Sequence, residues 1–365
     1  MENIQISCAV EVNGKIYFSA FNRNGLFKID ILNGKMKFVT SFIDEKPFKT
    51  YIHRTCVVYN NNIFFIPYNS CNMHVFNYVT GEQRVVRLLE DNQEQWKGLY
   101  ETVQINNYLY LFSENLAPYL VLNMDDYTVV SCDLFYEWLS KHVPIESDKG
   151  IFRIAQVADR VYFAIRGASE VLSWDLIKEI GEAYDLKLKN IFGVENAING
   201  LAITLKNKYD IFFWNFENVE RIYSLDENCK TMRPFIRNIC FDDCMLVIPA
   251  YKTFFLIVDK NHEITKLNYL ERVDYNESLE FGKNGFVLMD DKLALFAIEK
   301  SVVLEIDFNE LCINVQTIEL QTSMEYSYWK MKSIEMVNGL EKGIIESDGL
   351  NLTDFICYQR LKDEK

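Results

Sequence analysis

Apolar residues in this chain come in short runs, and pairs of turn-forming residues split those runs at regular places. "CVVYNNNIFFIPY" (56–68), "VQINNYLYLF" (103–112), "IAQVADRVYFAI" (154–165) and "ICFDDCMLVIPAY" (239–251) share one form, with β-branched and aromatic residues on both sides of a short polar pair. Asn, Asp and Gly tolerate the positive φ that a two-residue hairpin demands, so each run predicts two antiparallel strands.

A second mark recurs downstream. An apolar strand ends in Asp or Asn at Ile29-Asp30, Phe76-Asn77, Leu122-Asn123, Trp174-Asp175, Trp214-Asn215, Val258-Asp259 and Ile306-Asp307. The intervals between these are 47, 46, 52, 40, 44 and 48 residues. The upstream turn pairs are Asn13-Gly14, Asn60-Asn61, Asn106-Asn107, Ala158-Asp159, Asn199-Gly200, Asp242-Asp243 and Asp290-Asp291. From the first turn residue to the closing Asp or Asn is 17 residues in six copies and 16 in the fifth. A fixed inner spacing inside a variable outer one means that two strands are tightly specified and their outer connection is free. The closing Asp or Asn can bond its own downstream backbone and start the next turn. A fourth strand then leaves, as in "KMKFVTSF" (35–42), "EQRVVRL" (82–88) and "EITKLNY" (263–269).

Four antiparallel strands per unit of about 45 residues is the mark of a propeller blade. Seven copies predict an all-β, seven-bladed β-propeller with blades near 4–42, 51–89, 98–132, 150–190, 191–226, 233–269 and 280–319. The pattern resembles the WD40 and kelch-like propellers, and Trp174-Asp175 reproduces the WD dipeptide. No Gly-His recurs and no kelch double glycine is present, so the resemblance covers the architecture of residues 4–319 and not a named functional family. A length of 365 residues would otherwise suggest two or three domains.

Two segments depart from the repeat. "DLFYEWLSKHVPIESDKG" (133–150) has Leu134, Trp138, Leu139 and Val143 at helical spacing, and "DLIKEIGEAYDLKLKN" (175–190) begins like a helix in place of the fourth blade's turn, with room for the blade's outer strand late in the segment. Both predict short helical insertions, where repeat scaffolds accept them. Residues 320–365 predict a tail packing on the propeller, with a helix at 352–362 capped by Thr353, or an eighth unit opening at Asn338-Gly339.

Composition narrows the chemistry. Hydrophobic residues make up 49% and aromatics 14%, which suits a buried, strand-rich chain. The net charge of −14 argues against nucleic-acid or anionic-membrane partners, which need a basic footprint. No apolar run is long enough to span a bilayer. The N-terminus lacks a basic segment followed by an apolar one, which predicts a cytoplasmic protein. The Lys-, Ile- and Asn-rich usage is compatible with a low-GC bacterial gene. Nine cysteines without a CxxC pair read as free thiols, and Cys240-x3-Cys244 flanks a turn instead of framing a metal. No metal site, cofactor motif or nucleophile elbow is legible, and the four histidines stand in no ligand spacing.

The propeller resemblance implies ligand binding over the central channel, on the face bearing the loops into each first strand and from second to third. Five and six residues before each turn stand Ser7-Cys8, Arg54-Thr55, Tyr100-Glu101, Phe152-Arg153, Gly193-Val194, Ile236-Arg237 and Asn284-Gly285. Arg54, Arg153, Arg237, Glu101 and His53 are thereby expected around the channel mouth. The second-to-third loops add Arg23, Tyr68, Asn69, Glu114, Arg166, Tyr251 and Lys252. Guanidinium forks suit carboxylate or phosphate, and aromatic faces stack on sugars or peptide side chains. Two arrangements are open: an anion-reading pocket, or arginines paired with Glu101 and Glu114 that tie blades together.

Two functional readings follow. One is a non-catalytic binding or scaffolding propeller whose partner is a protein or a small anion such as an acidic sugar, phosphate-bearing metabolite or acidic peptide. The other is a lyase, hydrolase or isomerase acting on an anionic glycan or modified peptide, with His53 or Tyr251 as acid or base beside Glu101.

Overall fold

The structure, a computed structural model, describes residues 4–30, 32–46, 49–88, 98–143, 150–228, 234–241, 243–250, 252–269, 281–289, 292–297, 302–321 and 326–327. Seven four-stranded antiparallel blades follow in chain order over 6–40, 53–87, 99–132, 151–185, 191–228, 235–268 and 281–317. The architecture is that of a seven-bladed β-propeller. Blades 1, 2 and 7 belong to one compact unit, and blades 3 to 6 to a second.

The turn chemistry explains the spacing. Asn13, Asn60, Asn106, Ala158 and Asn199 hold φ between 52° and 60°, as a primed hairpin turn requires. Two residues past the first turn residue, the second strand pairs with the closing Asp or Asn: Lys15 with Asp30, Asn62 with Asn77, Tyr108 with Asn123, Arg160 with Asp175, Cys244 with Asp259, Lys292 with Asp307. In blade 5 Leu201 pairs with Trp214, so Asn215 arrives one residue early. All seven closing side chains then accept from backbone two residues on, at Leu32, Val79, Asp125, Ile177, Glu217, Asn261 and Asn309.

The middle strands are buried on both faces, which is why they read as near-continuous apolar runs. In the first unit Ile16 and Phe18 pack toward Val287, Ala294 and Phe296 of blade 7, while Tyr17 and Leu26 pack with Ile63, Phe65 and Phe76 of blade 2. In the second unit equivalent clusters join blades 3 and 4, 4 and 5, and 5 and 6. Outer strands keep one wet face, as in Ile180–Asp185.

Of the two expected insertions, the first is helical and the second is not. Residues 133–139 do form a helix, Asp133–Leu139, but it buries Phe135 and Leu139 and leaves Leu134 exposed. The segment after Trp174 is no helix. Asp175 Oδ1 accepts from the amides of Ile177 and Lys178, closing a tight turn straight into the outer strand Ile180–Asp185. A side chain at Gly181 would collide with the Trp138 indole, so the helix Asp133–Leu139 lies directly over that strand. In the first unit, strand Glu319–Gln321 adds in parallel to Lys35–Thr40 of blade 1 and crosses the predicted boundary between propeller and tail. Tyr326 is buried with its ring edge-on to Phe27 and Phe38. The proposed helix at 352–362 and the eighth-unit turn lie outside the described residues.

Candidate functional site

Each blade's innermost strand carries an irregularity near its start. Pairing runs from Ile6 to Cys8, His53 to Thr55, Leu99 to Glu101, Ile191 to Gly193 and Phe235 to Arg237 with one residue skipped each time. Ile151 to Ile154 holds one extra residue as well, and Phe281 to Phe286 a wider break. A bulge bends the strand and re-aims its side chains. The residue types found there from spacing alone are the ones whose direction this bend sets.

In the second unit those bends bring four charges together. Glu101, Arg153, Glu195 and Arg237 come from the inner strands of blades 3, 4, 5 and 6. Glu195 Oε1 lies 3.4 Å from Arg153 Nε and 3.5 Å from Arg237 Nε. Arg237 Nη1 lies 3.5 Å from Glu101 Oε1. The amide of Asn238 donates to Glu195 Oε2 at 3.2 Å. Two guanidinium groups thus face two carboxylates, and Arg153 is only 2% exposed. Arg166 lies 3.7 Å from Glu114 in the loops of blades 3 and 4. Lys252 Nζ sits 4.9 Å above the Tyr209 ring. Tyr251 lies outside the described residues.

The first unit holds a different cluster. Tyr51 and Tyr68 have ring centroids 4.3 Å apart, and the Arg54 guanidinium stands 5.0 Å and 6.0 Å from the two rings. Phe21 extends the group 4.6 Å from Tyr51. Tyr51 donates its amide to the Phe21 carbonyl, and Tyr68 donates to Ile52, so the loops carrying the rings are stitched together. Both tyrosines are half-buried.

His53 does not face the mouth. It is fully buried, with Nδ1 2.9 Å from Ser19 Oγ and Nε2 2.8 Å from His74 Nδ1. His74 Nε2 lies 2.9 Å from the Ile43 carbonyl. A carbonyl only accepts, so the chain of donors is set: His74 donates to Ile43, His53 to His74, and Ser19 to His53. Burial, then His74 and Lys49, pushes the His53 pKa well below its ordinary value; burial also lowers that of His74.

Sequence spacing missed Glu195, Tyr51, Ser19 and His74. Glu195 left a trace, as a carboxylate inside the apolar inner strand "IFGVENA". The others carry no signal apart from their neighbours in space. Cys240 and Cys244 each donate to a backbone carbonyl, of Asn196 and Phe241, and no cluster of metal-ligating side chains stands among the described residues. No helix among them is long and apolar enough to cross a membrane.

No family model matches the chain, and no curated protein matches its sequence. Among solved structures it is similar to YCF48 bound to D1 peptide, at 10% identity and TM-score 0.60, covering 81% of this chain and 91% of that one. It is similar also to virginiamycin B lyase from Staphylococcus aureus, at 9% and 0.58, covering 82% and 93%. A third likeness is to PorZ, a bacterial surface component of the type-IX secretion system of Porphyromonas gingivalis, at 12% and 0.55, covering 89% of this chain. This chain spans 39% of the length of PorZ. Such identities show the propeller fold alone.

Proposed function

We propose that this propeller is a non-catalytic binding scaffold that holds a peptide segment of a protein partner against Phe21, Tyr51, Tyr68 and Arg54. The observation that carries the reading is the engagement of two candidate reactive groups among the described residues, His53 and Glu101. Both ring nitrogens of His53 are used inside the protein, and Glu101 is committed to Arg237. An acid or base must reach a substrate proton, and a fully buried imidazole does not. The arginines of blades 4 and 6 share the Glu195 carboxylate and Arg237 also meets Glu101, so their charge is offset locally instead of being presented to an anion. What the first unit offers is a pair of tyrosine rings tilted 44° to each other with a guanidinium beside them, the residue types that dominate protein–protein hot spots. A structural neighbour described as bound to a peptide fits the same reading.

The test is Arg153→Met with Arg237→Met. A structural network predicts a large loss of melting temperature, because breaking buried pairs leaves charge uncompensated. Unchanged melting, together with loss of stabilisation by anionic sugars or nucleotides in a thermal-shift screen, would overturn this and restore an anion-reading mouth. In parallel, Tyr68→Ala should leave melting within a few degrees of the parent and abolish any peptide-dependent shift.

A further inference from the structure

The hairpin end of blade 1, remote from the loops that carry Arg23 and Phe21, holds a groove of about 310 Å³. Lys15, Lys28, Lys35 and Lys37 line it, together with Asp30, Asn33 and Gln321. In a chain of net charge −14 this gathering of like charge requires a cause. Register places Lys28 directly opposite Lys37 on neighbouring strands, an arrangement that destabilises a sheet.

Nearby carboxylates do not neutralise it. Asp30 pairs in register with both Lys15 and Lys35, yet its oxygens accept from the Leu32 amide and the Asn33 side chain in the turn. Glu319 pairs with Lys35 in the added strand. Four ammonium groups against two carboxylates leave a local excess of two positive charges. Among the described residues none of the four lysines lies within ion-pair distance of a carboxylate. Lys28 is half-buried, and burial, then Lys15 and Lys37, lowers its pKa.

The wall of the groove is held deliberately close. Gly34, at φ +64°, has the Thr317 carbonyl 2.8 Å from where a Cβ would stand, and its own carbonyl accepts from the Glu319 amide at 2.9 Å. That clamp seats Gln321 beside Lys37.

We infer that this groove binds a compact, multiply charged phosphate group. Lysines are strongly hydrated point charges suited to phosphate, whereas a planar carboxylate would call for arginine forks. Among the described residues the lining is lysine, carboxylate and amide, with no aromatic ring. Asn33 and Gln321 supply neutral amide donors. The site is independent of the aromatic cluster at the other end of the strands.

Titration calorimetry of the full chain with sodium tripolyphosphate, at constant ionic strength and with sulfate as control, tests it. Saturable one-to-one binding is expected, with a raised melting temperature. Lys28→Gln with Lys37→Gln should weaken binding at least about tenfold. The same variant without ligand should melt no lower than the parent, because like charges have been separated. Should it fold poorly, the exposed pair Lys15→Gln and Lys35→Gln serves instead. Absence of binding, binding indifferent to both variants, or preference for a polyglutamate peptide over tripolyphosphate would overturn the inference. Co-sedimentation with phosphatidylcholine vesicles containing phosphatidic acid, but not with pure phosphatidylcholine, would identify a lipid headgroup as the source. Tripolyphosphate binding without co-sedimentation would identify a free phosphate compound.

Discussion

Arg153 lies across Gly193: a Cβ at 193 would stand 2.9 Å from Arg153 Cγ and 3.3 Å from Thr204 Oγ1. The inner strand of blade 5 thus needs a bare backbone where the blade 4 arginine passes to reach Glu195.

Gly193→Ala should therefore displace the Arg153 stem and loosen the pair with Glu195. Overpacking of this kind costs about 1–3 kcal/mol. Urea denaturation of parent and variant reads the difference, and Gly193→Ala at parental stability would show that the arginine has room to shift.

Acid should destabilise the first unit through its histidines. The folded protein holds His53 and His74 below the ordinary imidazole value, so between the folded and unfolded pKa values the unfolded chain binds more protons. Stability is then complete above about pH 6.5 and falls as pH drops below it. Melting curves from about pH 8 to 5 should show that decline, and His53→Asn with His74→Asn should flatten it. A slope unchanged by the double substitution would assign the acid sensitivity to carboxylates instead.

Asn77 Oδ1 accepts from the amides of Val79 and Thr80 at 3.0 and 2.9 Å. Asn77→Ala removes both acceptors from an exposed turn and should cost roughly 1 kcal/mol. Asn77→Asp keeps the acceptor and should be near neutral. Equal losses for the two variants, measured by thermal melting, would mean that the turn does not depend on the side-chain oxygen.

Most of the fold was legible because its marks are local. A positive-φ residue and an Asp or Asn oxygen two residues from the amide it receives act within four positions of chain, so they repeat visibly in sequence. The helix expected after Trp174 failed for the same local reason: Asp175 serves its turn there as in the other blades, and apolar spacing downstream belongs to an outer strand lying under Trp138. The charged network was legible in residue type at Arg153, Arg237 and Glu101, and the pairing of arginine with Glu101 and Glu114 was one of the two arrangements open from sequence; the part of Glu195 was not legible. His53 was misdirected, because a position beside Arg54 in sequence points inward once the strand bulges between His53 and Thr55.

Sequence alone thus determined the seven repeats, their turns and their number of strands, since each depends on backbone chemistry among adjacent residues. Tertiary structure alone decided that Glu195, 42 residues from both Arg153 and Arg237, would join them, and that Glu319–Gln321 would close a groove over four lysines. Those contacts depend on how neighbouring strands and blades pack and where each inner strand bends, which is a property of distances in space and leaves no fixed spacing along the chain.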